Sequence, residues 1–167
     1  MSILPVEDQV FSSHPLDTVE DIVTAHEWPF DRQGEDELSV CVSGAWCDYH
    51  LGFSFSDEQG GLQIACAYDM RVPPEKREPV YSLLAQLNER MWLGHFDLWS
   101  EEGIPMFRHA VLTREGPAPS SGQLEEMIEI AVSECERFFP ALQFVMWGGK
   151  SPTEAIAAAM LETKGEA

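Results

Sequence analysis

The periodicity of apolar positions divides the chain into alternating helical and extended segments. Val19, Ile22, Val23 and His26 recur at helical spacing and predict a helix from about Thr18 to Glu27. Asp17 is its expected N-cap, with Glu20 three residues on as a carboxylate variant of the capping box. "WPFDRQ" reads as a short extended piece. The period then drops to two. Leu38, Val40 and Val42 alternate with Ser39, Cys41 and Ser43, and Gly44-Ala45 fits a two-residue turn with glycine first. That turn sets Val42 opposite Cys47, Val40 opposite Tyr49 and Leu38 opposite Leu51, so the apolar faces coincide. After Phe53, Phe55 and the polar "SDEQGG", a third strand alternates Leu62, Ile64, Cys66 and Tyr68.

The second face of these three strands carries Ser39, Cys41, Ser43, Gly52, Ser54, Ala65 and Ala67. Small side chains let another backbone approach closely, so a helix or another subunit is expected to lie on this face. A plain solvated face is the other reading, because strand preferences depend strongly on context.

Val80, Leu83, Leu84, Leu87 and Met91 form the apolar stripe of a second helix. Pro74 suits its opening turn, and Pro79 falls in its first turns. "GHFDLWSEEGIPMFRHAVL" reads as a second hairpin around Glu101, Glu102 and Gly103. A third helix starts near Gln123 and keeps phase from Leu124 to Leu142, with a kink rather than a stop expected at Pro140. Its outer side, Glu125, Glu126, Glu129, Glu134 and Glu136, reads as a solvated face. The fold class is therefore α+β: an antiparallel sheet with helices in the order α-β-β-β-α-β-β-α, plus a short C-terminal helix. Residues 1–15 form the expected flexible N-terminal segment, 16–162 a single domain and 163–167 a tail.

Charge narrows the partners. The 167 residues include ten basic and twenty-nine acidic ones, a net charge of −19. Such a surface repels nucleic acid and anionic lipid, and suits a cytoplasmic protein or one with a basic partner. No basic, apolar leader and no long apolar run is visible. The four cysteines are spread apart without a CxxC pair, which predicts reduced, core-type residues rather than a zinc site.

"WGGKSPTEAI" contains Gly149-Lys150-Ser151, the ending of a phosphate-binding loop. That loop needs a glycine at position 144, which is Phe144, and a strand leading in, where the pattern here is helical. The string instead reads as a helix stop at Gly148-Gly149, then Ser151 as N-cap, Pro152 at the first helical position and Glu154 completing a capping box.

The second hairpin holds the remaining candidates, His95, Asp97, Arg108 and His109. A three-residue loop pairs His95 with His109 and leaves Asp97 on their face, a patch that could ligate a metal. A two-residue loop at Glu102-Gly103 pairs Asp97 with Arg108 and gives the better apolar face. Turn chemistry favours the first register and hydrophobic pattern the second. No nucleophile elbow, HExxH or glycine-rich cofactor turn appears. The five tryptophans fall mostly at element ends, where they cap a core edge or form a binding rim.

Taken together, "GAWCDYHLGFSF", "LQIACAYDMRVP", "LLAQLNERMWLGHFDLW", "FRHAVL" and "CERFFPALQFVMWGGKSPTEAIAAAML" resemble the YbjN-domain family, which has been called bacterial sensory transduction regulators. The resemblance runs from about Leu16 to Leu161. It implies a fold similar to type III secretion chaperones, whose members are small, acidic, cytosolic, commonly homodimeric, and hold partner chains. It carries over no active site, cofactor or metal. The reading it supports is a non-enzymatic, chaperone-like protein-binding module. Trp92, His95, Asp97, Trp99 and Arg108, together with Trp147, Gly148, Gly149, Lys150 and Ser151, are the expected partner contacts. The alternative is a metal-dependent sensor or hydrolase using His95, Asp97 and His109.

Overall fold

The structure, a computed structural model, describes residues 14–165, with side chains to residue 161. Of the expected N-terminal segment and tail, residues 1–13 and 166–167 lie outside the described residues.

Helix α1 (Pro15–Ala25) buries Leu16, Val19, Ile22 and Val23. Its N-cap is His14, not Asp17: the His14 Nδ1 accepts the Leu16 N–H at 3.1 Å. Pro15 favours this earlier start, because proline at the first position loses no helical bond. Asp17 lies in the first turn instead, where it takes Arg32 at 3.0 Å. His26 ends the helix exposed rather than on the buried face, stacked on Trp28 and bonded to Glu125 at 2.8 Å.

Six strands follow: β1 (Phe30–Gln33), β2 (Glu37–Ser43), β3 (Asp48–Ser56), β4 (Gly61–Tyr68), β5 (His95–Trp99) and β6 (Ile104–Leu112). They form one antiparallel sheet in the order β1-β2-β3-β4-β6-β5. The extended "WPFDRQ" piece is thus an edge strand. Helices α2 (Arg77–Asn88), α3 (Ser121–Met146) and α4 (Pro152–Gly165) are the remaining α-helices among the described residues. Helices α1, α2 and α3 pack on the sheet, and α4 packs on α2 and α3.

The first hairpin corrects the expected turn. Val42 faces Tyr49, Val40 faces Leu51 and Leu38 faces Phe53, around a four-residue loop, Gly44–Cys47. The slip is two residues, so with a period of two every side chain keeps its face. Helix α3 dictates the longer loop. The Ala45 N–H donates to the Glu136 carboxylate at 2.6 Å, and Trp46 stacks on Phe139 with centroids 5.8 Å apart.

The second hairpin adopts neither expected register. Phe96 faces Phe107, Asp97 faces Met106 and His95 faces Arg108, across the loop Ser100–Gly103. Gly103 is left-handed (φ 70°), and its N–H closes on the Trp99 carbonyl at 2.7 Å. Glycine chemistry therefore sets the loop length, while burial of Phe96, Leu98 and Phe107 sets which residues share a face.

Helix α3 begins with a reciprocal capping box between Ser120 and Gln123 and continues through Pro140 to Met146. The α3–α4 junction is a capping device. Gly149 is left-handed, the Glu154 N–H donates to Ser151 Oγ at 3.2 Å, and the Ser151 N–H donates to the Glu154 carboxylate at 3.0 Å. The Ser151 N–H first, then the Ser151 hydroxyl, hold the Glu154 carboxyl below its ordinary pKa. All four cysteines are free, with Cys66 and Cys135 buried.

Candidate docking site: the open sheet face

Pairing registers fix which side chains stand on the face away from the helices. One row across the sheet reads Asp31, Ser39, Gly52, Ala65, Arg108, His95. The next reads Cys41, His50, Ala67, Met106, Asp97. Among the described residues no helix lies over these rows; the helices bury the opposite side chains, from Leu38 and Leu51 to Ile64 and Phe107. The second face is therefore not covered by a helix of the described chain.

Two adjoining recesses of about 530 and 570 Å³ share Gly52, Ala65, Trp99 and Met106 and form one trough. Its floor is backbone, glycine, alanine and the Met106 side chain, which is only 6% exposed. Trp99 rises at the β5 side and is 57% exposed. Arg108 lies diagonally across from Asp97 and pairs with it at 3.3 Å, and His50 lies 3.7 Å from Asp69. Both pairs are exposed enough for water to screen them, so they fix side-chain positions more than they stabilise the fold.

Of the expected contact residues, Asp97, Trp99 and Arg108 line the trough, and His95 stands beside Arg108 in its row. Trp92 does not join them. It lies 99% exposed at a separate groove of about 280 Å³ lined by Met91, Ile130, Arg137, Phe138 and Met160. Trp147, Gly148, Gly149, Lys150 and Ser151 form the α3–α4 turn on the helical side of the sheet.

The metal patch does not assemble. His95 and Asp97 point to the open face, while His109 pairs with Ile64 and points to the helical face. Burial, then the nearby His95, lowers the His109 pKa. Among the described residues no group of three or more His, Cys, Asp and Glu is placed to hold a metal ion.

Sequence reasoning missed Asn88. Its side-chain oxygen accepts the Phe96 N–H at 2.6 Å, and its amide donates to the Phe96 carbonyl at 3.1 Å, so it seals the outer edge of β5. An asparagine at a helix end carries no pattern that names a partner eight residues away. Alternation with Phe107 puts Met106 on the open face, and the pairing register sets it beside Ala67 and Asp97.

Among the described residues no helix is long and apolar enough to cross a membrane. No curated protein matches the chain. Among solved structures it is similar to one titled "Crystal structure of YbjN, a putative transcription regulator from E. coli". That match has a TM-score of 0.52 and 10% identity over 72% of this chain and 85% of the other, so it speaks to the fold. Residues 15–144 match the family model YbjN, "Putative bacterial sensory transduction regulator", and with more than half its length matched the chain belongs to the YbjN family.

Proposed function

We propose that the protein is a non-enzymatic, chaperone-like binding module that regulates by receiving a segment of a partner protein in the trough of its open sheet face. One observation carries this reading: a sheet packed by helices on one side presents glycine, alanine and serine on the other, flanked by a half-exposed tryptophan. A sheet face that meets only water has no need of so bare a floor.

Gly52→Arg tests it. Nothing lies within 4 Å of a Cβ placed at position 52, so an arginine enters the trough without a clash at its base. Capture from native cytoplasm is expected to recover a reproducible partner with the wild type and with Gly52→Ala. Gly52→Arg should recover at least about tenfold less, since a charge in the centre of an interface removes the contacts that dominate binding. Equal recovery by Gly52→Arg would reject the trough as the site.

The protein is further proposed to act as a homodimer through the groove beside Trp92 and Leu93. A fully exposed tryptophan beside a groove of mixed lining, Met91, Ile130, Phe138 and Met160 with Arg90, Glu134 and Arg137, suits a two-fold contact in which each copy fills the other. Light scattering is expected to give a dimer for the wild type and a monomer for Trp92→Glu. A monomeric wild type would remove the dimer. Trp147 and the exposed Gly148–Ser151 turn offer a separate contact on the helical side.

A further inference from the structure

We propose that the free edge of β1 accepts an extended segment of a partner protein as a seventh strand. It rests with the proposed function on the premise that the chain binds protein segments; the edge adjoins the trough, whose second recess Pro29, Phe30 and Asp31 also line, but it binds through outward backbone groups rather than through the floor.

The Cys41 N–H donates to the Pro29 carbonyl at 3.0 Å. In an antiparallel ladder this makes Pro29, Asp31 and Gln33 the residues that face β2. Phe30 and Arg32 therefore aim their N–H and C=O groups outward, and among the described residues nothing bonds to those four groups. The other edge of the sheet is treated differently. At β5, Asn88 takes both backbone groups of Phe96, and the Asp97 carboxylate takes the Leu98 N–H at 2.9 Å. One edge is closed by side chains and the other presents a row of donors and acceptors that another extended backbone satisfies.

The occupant is not a second copy. The antiparallel register that bonds all four outward groups of each copy sets Asp31 against Asp31, and like charges directly opposite are unfavourable. Asp31 is exposed on the open face, so the matching strand places a basic residue opposite it. Phe30 is 39% exposed and calls for an apolar neighbour. The Arg32 guanidinium already pairs with Asp17 and Glu20, so the residue opposite it is uncharged. The partner segment therefore reads Thr-Lys-Val or its chemical equivalent, opposite Arg32, Asp31 and Phe30 in that order.

The probe is a capped, fluorophore-labelled peptide, Ser-Val-Thr-Lys-Val-Thr-Ser, titrated against the full chain by anisotropy. Wild type and Phe30→Ala should bind within about threefold of each other, while Phe30→Pro binds at least about tenfold more weakly, because proline removes an outward N–H and leaves the β2 ladder whole. Replacing the peptide lysine with glutamate should weaken binding similarly. In the wild type, peptide should slow amide exchange at Arg32, a readout that does not depend on any variant folding. Arg108→Ala, on β6 and lining only the recess that β1 does not reach, should leave peptide binding unchanged, so edge and trough can fail separately. No binding by the wild type, no slowing at Arg32, or equal loss in Phe30→Ala and Phe30→Pro would overturn the proposal.

Discussion

Gly94→Ala is expected to destabilise the fold by about 3 kcal/mol, while Gly52→Ala leaves stability within about 1 kcal/mol of wild type. The two glycines flank the same site and differ in what surrounds them. Gly94 is left-handed (φ 72°), a conformation that costs alanine roughly 1–3 kcal/mol. A Cβ there would also fall on the edge of the Phe107 ring and 2.8 Å from the Arg108 carbonyl oxygen. The ring cannot retreat, because Phe107 is 1% exposed and packed edge-on against Phe96. Overpacking of this kind adds roughly 1–3 kcal/mol. Gly52 sits in mid-strand with open space before its missing side chain, and alanine there removes only unfolded-chain freedom. Thermal unfolding should place Gly94→Ala about 10 °C below wild type for a chain of this length. Gly94 aims β5, and so Asp97 and Trp99, at the trough; a wild-type melting curve for Gly94→Ala would refute that account.

The contrast also marks what a sequence discloses. Alternation assigned every core strand residue from Leu38 to Tyr68 to its face, because a period of two is indifferent to a two-residue slip. It did not disclose the slip itself. The Gly44–Cys47 loop is long because Glu136 and Phe139, some ninety residues on, hold Ala45 and Trp46. The bare second face was legible in Gly52, Ala65 and Ala67, since its signal is the absence of large side chains at alternate positions. The second hairpin was half legible. Hydrophobic pattern gave the right parity, which brings Arg108 to Asp97 diagonally rather than directly. The left-handed Gly103, not the residue count of a preferred turn, fixed the register. Helix ends behaved alike: Ser151 and Glu154 cap as a local motif predicts, whereas His14 displaced Asp17 because proline at position 15 permits an earlier start.

Glu136→Ala should cost about 2–3 kcal/mol, although its place on an acidic helix face reads as solvated. Its carboxylate accepts the Ala45 N–H at 2.6 Å and the Tyr49 hydroxyl at 2.8 Å. Tyr49 is 0% exposed, and burial first, then the bond to Glu136, hold its phenol well above the ordinary pKa, so it stays a donor throughout the working range. Removing the carboxylate leaves that hydroxyl without its acceptor, which is the expensive half of losing a hydrogen bond. Tyr49→Phe removes donor and demand together and should cost only about 1 kcal/mol. The double variant should then be less destabilised than the sum of the singles by about 1–2 kcal/mol, the coupling expected of direct partners. Near-UV circular dichroism should register the same event, because releasing the loop frees Trp46 from Phe139. The β2–β3 hairpin supplies Ser39, Cys41, His50 and Gly52 to the trough, so this contact ties the binding floor to the helical layer. Strictly additive losses would mean that Glu136 and Tyr49 act on stability independently and would refute the coupling.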